Sequence, residues 1–293
     1  LLSSFSLQKA ILQPVKLVNH PELNLHLLRL DLIDTEISGN KWFKLKYNLD
    51  EAIKLQKQQI VTFGGAFSNH IAATAKACNI LDIKSYGIIR GEKIENHTLK
   101  LAKENGMELK FVSRTLYRDK FSLMKWLALE FDLNKCYIIP EGGANQLGVE
   151  GCKEIVDLVN IPFNYIAMAC GTATTLSGVT SALNENQTGL GFAALKEAAF
   201  LSDEVNKNLL KLNKSNFKII EDYHFGGYAK HNVQLLSFIN NFEKEHHIKL
   251  DFVYTAKMMY GLLDLIQQNY FPKHSTIVAI HSGGLQGNSG IGI

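Results

Sequence analysis

Lys41, in the run Ser38-Gly39-Asn40-Lys41-Trp42-Phe43-Lys44-Leu45, has neighbours that suit covalent chemistry. Gly39-Asn40 supplies a tight turn, and Trp42-Phe43 supplies apolar cover. An amine desolvated by such cover has a lowered pKa, which favours the neutral form that condenses with an aldehyde. Lys44 lies one turn later on the same face, where it either depresses Lys41 further by like-charge repulsion or stands as a surface charge. Three further runs make sense together if Lys41 holds an aldehyde cofactor. They are Gly64-Gly65-Ala66-Phe67-Ser68-Asn69-His70, Gly171-Thr172-Ala173-Thr174-Thr175 and His281-Ser282-Gly283-Gly284. A lysine, a helix-opening Ser-Asn, a Gly/Thr anion loop and a late Ser-Gly-Gly point jointly to a pyridoxal-phosphate enzyme.

Each run also has a plainer reading. Ser68 suits an ordinary N-cap, although a helix N-terminus also offers free N–H groups to a carboxylate. Asn69 has the donors and acceptor to meet the hydroxyl of a pyridine ring. In Gly171–Thr175, glycine lets the backbone close on an anion, and Thr172, Thr174 and Thr175 add hydroxyls at the positive end of a helix. The loop is neither Gly-x-x-x-x-Gly-Lys-Ser/Thr nor Gly-x-Gly-x-x-Gly, which disfavours nucleoside triphosphates and dinucleotides. Tyr254 and Tyr228 read equally as packing aromatics, and Ser282 as part of a turn.

Composition narrows the field. The chain has 293 residues, 46% hydrophobic and 20% charged, with net charge +3. That length suits two modest domains, and the charge is too small to argue for nucleic acid or an anionic membrane. Only Arg29, Arg90, Arg114 and Arg118 are arginines, and none falls in the four runs. A substrate carboxylate is therefore expected to meet backbone N–H groups and hydroxyls rather than a guanidinium fork. Cys78, Cys136, Cys152 and Cys170 form no Cys-x-x-Cys pair, so buried free thiols are expected and neither a disulfide framework nor a metal site. His246-His247 would point apart on a helix and make a poor metal pair. No stretch reaches the ~20 apolar residues of a membrane span, and no secretory leader pattern opens the chain. The cytoplasm is the expected location.

Positioning these runs falls to alternating β and α segments. Strands are predicted over Leu25–Leu32, Ile60–Phe63, Ile83–Ile89, Leu109–Val112, Tyr137–Ile139, Tyr165–Met168, Gly191–Leu195, Phe217–Ile220 and Thr276–His281. Helices are predicted over Lys41–Gln56, Ser68–Asn79, Ile94–Asn105, Lys120–Phe131, Gly148–Val159, Thr174–Asn184, Asn232–His246 and Ala256–Gln268. Such alternation predicts an α/β fold of parallel sheets flanked by helices. Gly64-Gly65, Gly171 and Gly283-Gly284 all follow predicted strands, where sites gather in open sheets. Pro140–Gly151 is the best candidate for a domain crossing.

Taken together, the chain resembles the family of D-cysteine desulfhydrase and 1-aminocyclopropane-1-carboxylate deaminase, over about Leu27 to Gly284. That resemblance implies the two-domain tryptophan-synthase-β-like fold, fold type II of pyridoxal-phosphate enzymes. It implies a large cofactor-binding domain from residues 1–44 and 149–293, a small domain from 45–148, and a homodimer. Gly39-Asn40-Lys41 matches the motif whose lysine carries the cofactor. Ser68, Asn69 and His70 match a Ser-Asn-His segment that implies substrate-carboxylate and cofactor contacts. Gly171, Thr172, Ala173, Thr174 and Thr175 fall on the phosphate loop, and Pro140–Asn145 looks like the segment between domains. Tyr228 and Tyr254 fall on tyrosines near the substrate, and Ser282 where threonine commonly faces the pyridine nitrogen.

The departures bear on the substrate. Deaminases of the family look like Tyr-Glu where this chain has Tyr254-Thr255, and tend to carry glutamine at His70. Both positions are similar to the desulfhydrases. Phe67 stands where those often have glutamine. The implied activity is conversion of a small amino acid, D-cysteine first, to pyruvate, sulfide and ammonia. The alternatives are ring opening of 1-aminocyclopropane-1-carboxylate to 2-oxobutyrate and ammonia, a racemase or β-replacement enzyme of the same fold, and a pyridoxal-phosphate-binding protein without turnover.

Overall fold

The computed structural model of the chain describes residues 10–37 and 39–290; the first nine residues, Ser38 and the last three residues given lie outside them. In chain order the elements are β1 (Leu12–Val15), β2 (Asn24–Arg29), α1 (Asn40–Lys54), β3 (Gln59–Gly64), α2 (Asn69–Ile80), β4 (Lys84–Arg90), α3 (His97–Glu104) and β5 (Glu108–Val112). Then come α4 (Arg114–Arg118), α5 (Lys120–Glu130), β6 (Cys136–Ile139), α6 (Gln146–Lys153), β7 (Tyr165–Cys170), α7 (Thr174–Ala182) and β8 (Thr188–Ala193). The chain finishes with α8 (Phe200–Leu209), β9 (Phe217–Ile220), α9 (Val233–His246), α10 (Thr255–Gln267) and β10 (Thr276–His281).

Two sheets organise these elements. A six-stranded sheet runs β1-β2-β10-β7-β8-β9, parallel except for the antiparallel edge pair β1–β2. A parallel four-stranded sheet runs β5-β4-β3-β6. Central strands such as Ile277–Ile280 in β10 are apolar on both faces, as parallel strands must be when helices cover both sides. In the larger sheet one face meets α1, α6, α7 and α8 through Phe43, Leu45, Cys152, Leu176, Val179 and Leu201. The other face meets α9 and α10 through Ile239, Phe242, Met258 and Leu262. The smaller sheet packs Tyr117, Leu123 and Leu127 of α4 and α5 against one face, and Ile71, Ala75 and Leu99 of α2 and α3 against the other.

Local chemistry explains the helix starts. Asn96, Ser113, Asp119, Asn145 and Asn232 each accept a backbone N–H at the head of α3, α4, α5, α6 and α9, as their short polar side chains favour. Most expected elements are present with shifted ends. The strand expected from Leu25 stops at Arg29 and tightens into a 3-10 turn over Leu30–Leu32. The strand expected at Gly191–Leu195 lies at Thr188–Ala193. The helix expected to reach Val159 ends at Lys153. Three short elements, β1, α4 and α8, were not anticipated. In β1 the residue Pro14 signals a break, yet proline is tolerated on the edge strand that β1 forms.

Candidate active site

A cavity of about 450 Å³ is lined by residues from both sheets, Lys41, Ser68, Asn69, His70, Tyr228 and Tyr254 among them. Gly171, Thr172, Thr175 and Ser282 complete the set that the sequence singled out on this wall. Ala173 is buried behind the loop, and the Thr174 hydroxyl lies 3.3 Å from that of Thr172. Phe67 is 45% exposed and is not among the residues that line the cavity.

Lys41 is the second residue of α1, whose start depends on Gly39. That glycine has φ of +67°, and a Cβ there would come within 1.8 Å of the Ser282 carbonyl oxygen. No residue but glycine brings the two chain segments so close. The Lys41 ammonium donates to Asn40 Oδ1 at 2.7 Å, while Asn40 Nδ2 donates to Thr175 Oγ1 at 2.9 Å. Burial, reinforced by the nearby Lys44, brings the Lys41 pKa down to about 7.

Lys44 is no surface charge. It is 3% exposed and donates to Thr172 Oγ1 at 3.1 Å, and among the described residues no carboxylate lies within ion-pair distance of it. Burial lowers its pKa. A buried ammonium without a counter-charge calls for an anion. The N-terminus of α7, which no side chain caps, faces the same space and favours the same charge. The spacing of three from Lys41 was the available signal in the sequence.

Ser68 does cap α2, accepting from Ile71 N at 3.4 Å. Asn69 keeps its Oδ1 buried without a partner. His70 Nε2 lies 2.9 Å from Thr62 Oγ1, whose hydrogen goes to the Ile139 carbonyl. The imidazole therefore donates from Nε2 and leaves Nδ1 as a buried acceptor without a partner. Burial, then Lys41 and Lys44, hold His70 neutral, its pKa pushed down to about 3. Two orphaned acceptors beside an unbalanced ammonium mark a site built around a polar ligand.

The tyrosines come from opposite ends of one network. Their rings meet edge-on, 6.1 Å apart. Tyr254 packs on Gly171, where a Cβ would lie 2.9 Å from its Cε1. Burial and the neighbouring phenol raise its pKa well above normal, so it stays protonated. Asp251 anchors it: the fully buried carboxylate accepts from Val253 N, Tyr254 N and Thr255 N at 3.0, 2.8 and 2.8 Å, and from Thr255 Oγ1 at 2.7 Å. Thr255 is thus turned away from the cavity. Burial raises the Asp251 pKa, and the Thr255 hydroxyl, the Thr255 and Tyr254 N–H groups and the nearby His281 pull it back. Tyr228 sits in a contorted turn with positive φ at Phe225, Gly226, Gly227 and Ala229. Lys257, 1% exposed, clamps that turn by donating to the His224 and Gly227 carbonyls at 2.9 and 2.7 Å. Burial lowers its pKa to about 8. Sequence reading missed both Asp251 and Lys257.

None of the four arginines falls in the four runs, yet one reaches the site. Arg90 and Glu141 stand on the cavity wall, brought there by the ends of β4 and β6.

These features match comparison with known proteins. The model of the family described as pyridoxal-phosphate-dependent enzymes matches residues 15–283. The chain belongs to that family. It is 30% identical over 283 residues to a protein of Pyrococcus horikoshii named putative 1-aminocyclopropane-1-carboxylate deaminase, covering 90% of this chain and 85% of that one. It is 30% identical over 289 residues to the Arabidopsis thaliana mitochondrial protein named bifunctional D-cysteine desulfhydrase/1-aminocyclopropane-1-carboxylate deaminase, covering 88% and 72%. A crystal structure described as an ACC deaminase homologue superposes with a TM-score of 0.81 at 26% identity, covering 96% of this chain and 90% of that one. The protein is a pyridoxal-phosphate-dependent lyase-family member of fold type II. The buried Lys44, the uncapped α7 and the orphaned acceptors fit that cofactor. Among the described residues no helix is long and apolar enough to cross a membrane.

Proposed function

We propose that the protein eliminates or deaminates a small amino acid, D-cysteine first, giving pyruvate, sulfide and ammonia. The observation that carries this reading is the half-buried Lys41, with its pKa near 7, in one cavity with the head of α2 and the Lys44–Thr172 anion site. When bound, pyridoxal phosphate supplies the electron sink for bond cleavage at the substrate Cα and Cβ.

The residues divide the remaining work. Lys44, Gly171, Thr172, Ala173, Thr174 and Thr175 hold the phosphate. Lys41 carries the cofactor and, once freed, moves the proton at Cα. Ser68, with the first N–H groups of α2, takes the substrate carboxylate. Asn69 meets the ring hydroxyl, and Ser282 the pyridine nitrogen as a neutral partner. His70, fixed as a neutral acceptor, receives a donor from the ligand. Tyr254 donates a proton to the leaving sulfur, and Tyr228 orients the side chain. The work splits between a large domain of residues 1–44 and 149–293 and a small one of 45–148, in a cytoplasmic homodimer.

Thr255 supports the desulfhydrase reading through the family resemblance alone, since its hydroxyl is committed to the buried Asp251 at 2.7 Å. The deciding experiment offers D-cysteine and 1-aminocyclopropane-1-carboxylate in parallel. Pyruvate with matching sulfide from D-cysteine alone is expected. Release of 2-oxobutyrate would assign the deaminase activity instead, and cofactor binding without any keto acid would leave a binding protein.

Lys257→Met tests the role of Tyr228. The variant should lower keto-acid release about tenfold by freeing the turn, with cofactor loading retained. Combined with Tyr228→Phe the losses should be well short of additive, since one acts through the other. Full additivity would separate Lys257 from Tyr228.

A further inference from the structure

Two charges on the cavity wall have no part in the chemistry above. Arg90, at the end of β4, and Glu141, after Pro140, both line the cavity beside Ser68 and Tyr228. Neither makes an ion pair within 4.0 Å, with the other or with any described residue. Arg90 is exposed at the mouth of the cavity and Glu141 is half-buried, so both charges are open to a ligand that enters there.

Both are held where they stand. The Arg90 guanidinium lies 5.4 Å from the centroid of the Tyr117 ring, and that ring is buried edge-on against Phe63. A Cβ on Gly65 would sit 3.7 Å from Arg90 Nη2, so the guanidinium also rests on the loop leading to Ser68. Stacking fixes the plane of a guanidinium and leaves its edge free to bind. Glu141 is tied by its neighbour Gly142, where a Cβ would come within 3.2 Å of Thr172 Cγ2. Its charge helps raise the pKa of Tyr117, Tyr228 and Tyr254, and Tyr228 and Tyr254 share the cavity wall with it.

A free thiol side chain needs neither charge. A group bearing both an ammonium and a carboxylate would meet both at once, the carboxylate on Arg90 and the ammonium on Glu141. Resting on the elimination reading above, we propose that Arg90 and Glu141 form a second subsite for the distal amino-acid head of a sulfur-linked bis-amino acid. Such thioethers are then preferred over simple cysteine derivatives. The reaction balances without a redox partner. Lys41 takes the Cα proton, the Cβ–S bond breaks with its electron pair passing to sulfur, and sulfur takes a proton from Tyr254. The thiol leaves carrying the distal head, and the three-carbon remainder takes up one water to give pyruvate and ammonia.

The test uses the holoenzyme with lanthionine and S-ethylcysteine, each in D and L forms. Equilibrium binding is read from the change in cofactor absorbance, and turnover from pyruvate. Lanthionine should bind at least about tenfold more tightly than S-ethylcysteine of the same configuration. Arg90→Gln and Glu141→Gln should each collapse that ratio towards one. Equal binding of the two compounds in the parent protein overturns the proposal. So does a ratio that survives both substitutions, because Arg90 would then serve only the shared α-carboxylate or solvent. Preferential binding of lanthionine without pyruvate from any compound would keep the subsite and reject elimination. No absorbance change with either compound would reject both.

Discussion

Lys41→Ala is expected to abolish keto-acid release, by at least about 10⁴-fold, because the same amine anchors the cofactor and moves the Cα proton. The visible absorbance of lysine-bound cofactor should vanish with it. Binding of the phosphate should persist in equilibrium dialysis, since Lys44 and the α7 N-terminus remain. The depressed pKa of Lys41, about 7, sharpens the test in the parent protein. Only the neutral amine attacks an aldehyde. The rate of cofactor attachment to the apo-protein should therefore rise about tenfold between pH 6 and 8 and then level off. A lysine left near its ordinary value would give a rise of about 100-fold over the same interval, with no plateau. Near-normal turnover in Lys41→Ala would remove the foundation of the proposed function.

The second large effect is on stability. Asp251→Ala strips the acceptor from three backbone N–H groups and the Thr255 hydroxyl, three of these four bonds being fully buried and the Tyr254 one partly so. Hydrogen bonds to a charge and unsatisfied buried donors each count for 1–3 kcal/mol, so a loss of about 4 kcal/mol is expected. That corresponds to a fall of roughly 10 °C in Tm. Asp251→Asn keeps an oxygen acceptor and should lose about half as much. Tyr254 should move in the alanine variant, so activity falls further than the folded fraction alone explains. A Tm within about 2 °C of the parent would show that the carboxylate is not the anchor.

Much of this site was legible before any coordinates. Lys41, Ser68, Gly171 and Ser282 announced themselves because each sits in a short run whose composition has a mechanical reason: a tight turn, a helix start or a close approach of backbone. The groups that went unread act across the fold. Asp251 and Thr255 form a cap four residues apart, but Thr255 also had a ready explanation as a substrate determinant, and the structure turns its hydroxyl inward. Lys257 looks like any helical lysine until the turn at Gly227 closes over it. Arg90 and Glu141 follow ordinary strands, and only the meeting of two sheets brings them to one wall. The misplacement of β8 has a packing cause. Gly189 and Gly191 are poor strand formers, yet a Cβ at Gly191 would lie 2.6 Å from Leu176 Cδ2. The strand gives up propensity so that α7 can dock.

The order of the larger sheet governs when the site can come into being. Strand β10 is the last strand among the described residues but lies inside the sheet, between β2 and β7. Ser282, directly after it, closes on Gly39. On the ribosome, Lys41 emerges early and waits through the synthesis of more than two hundred residues before its partners arrive. Until residues 276–284 are made, β2 and β7 have no strand between them. A nascent chain therefore has no assembled pocket with which to capture a reactive aldehyde, and loading is a late step of maturation rather than a nucleus for folding.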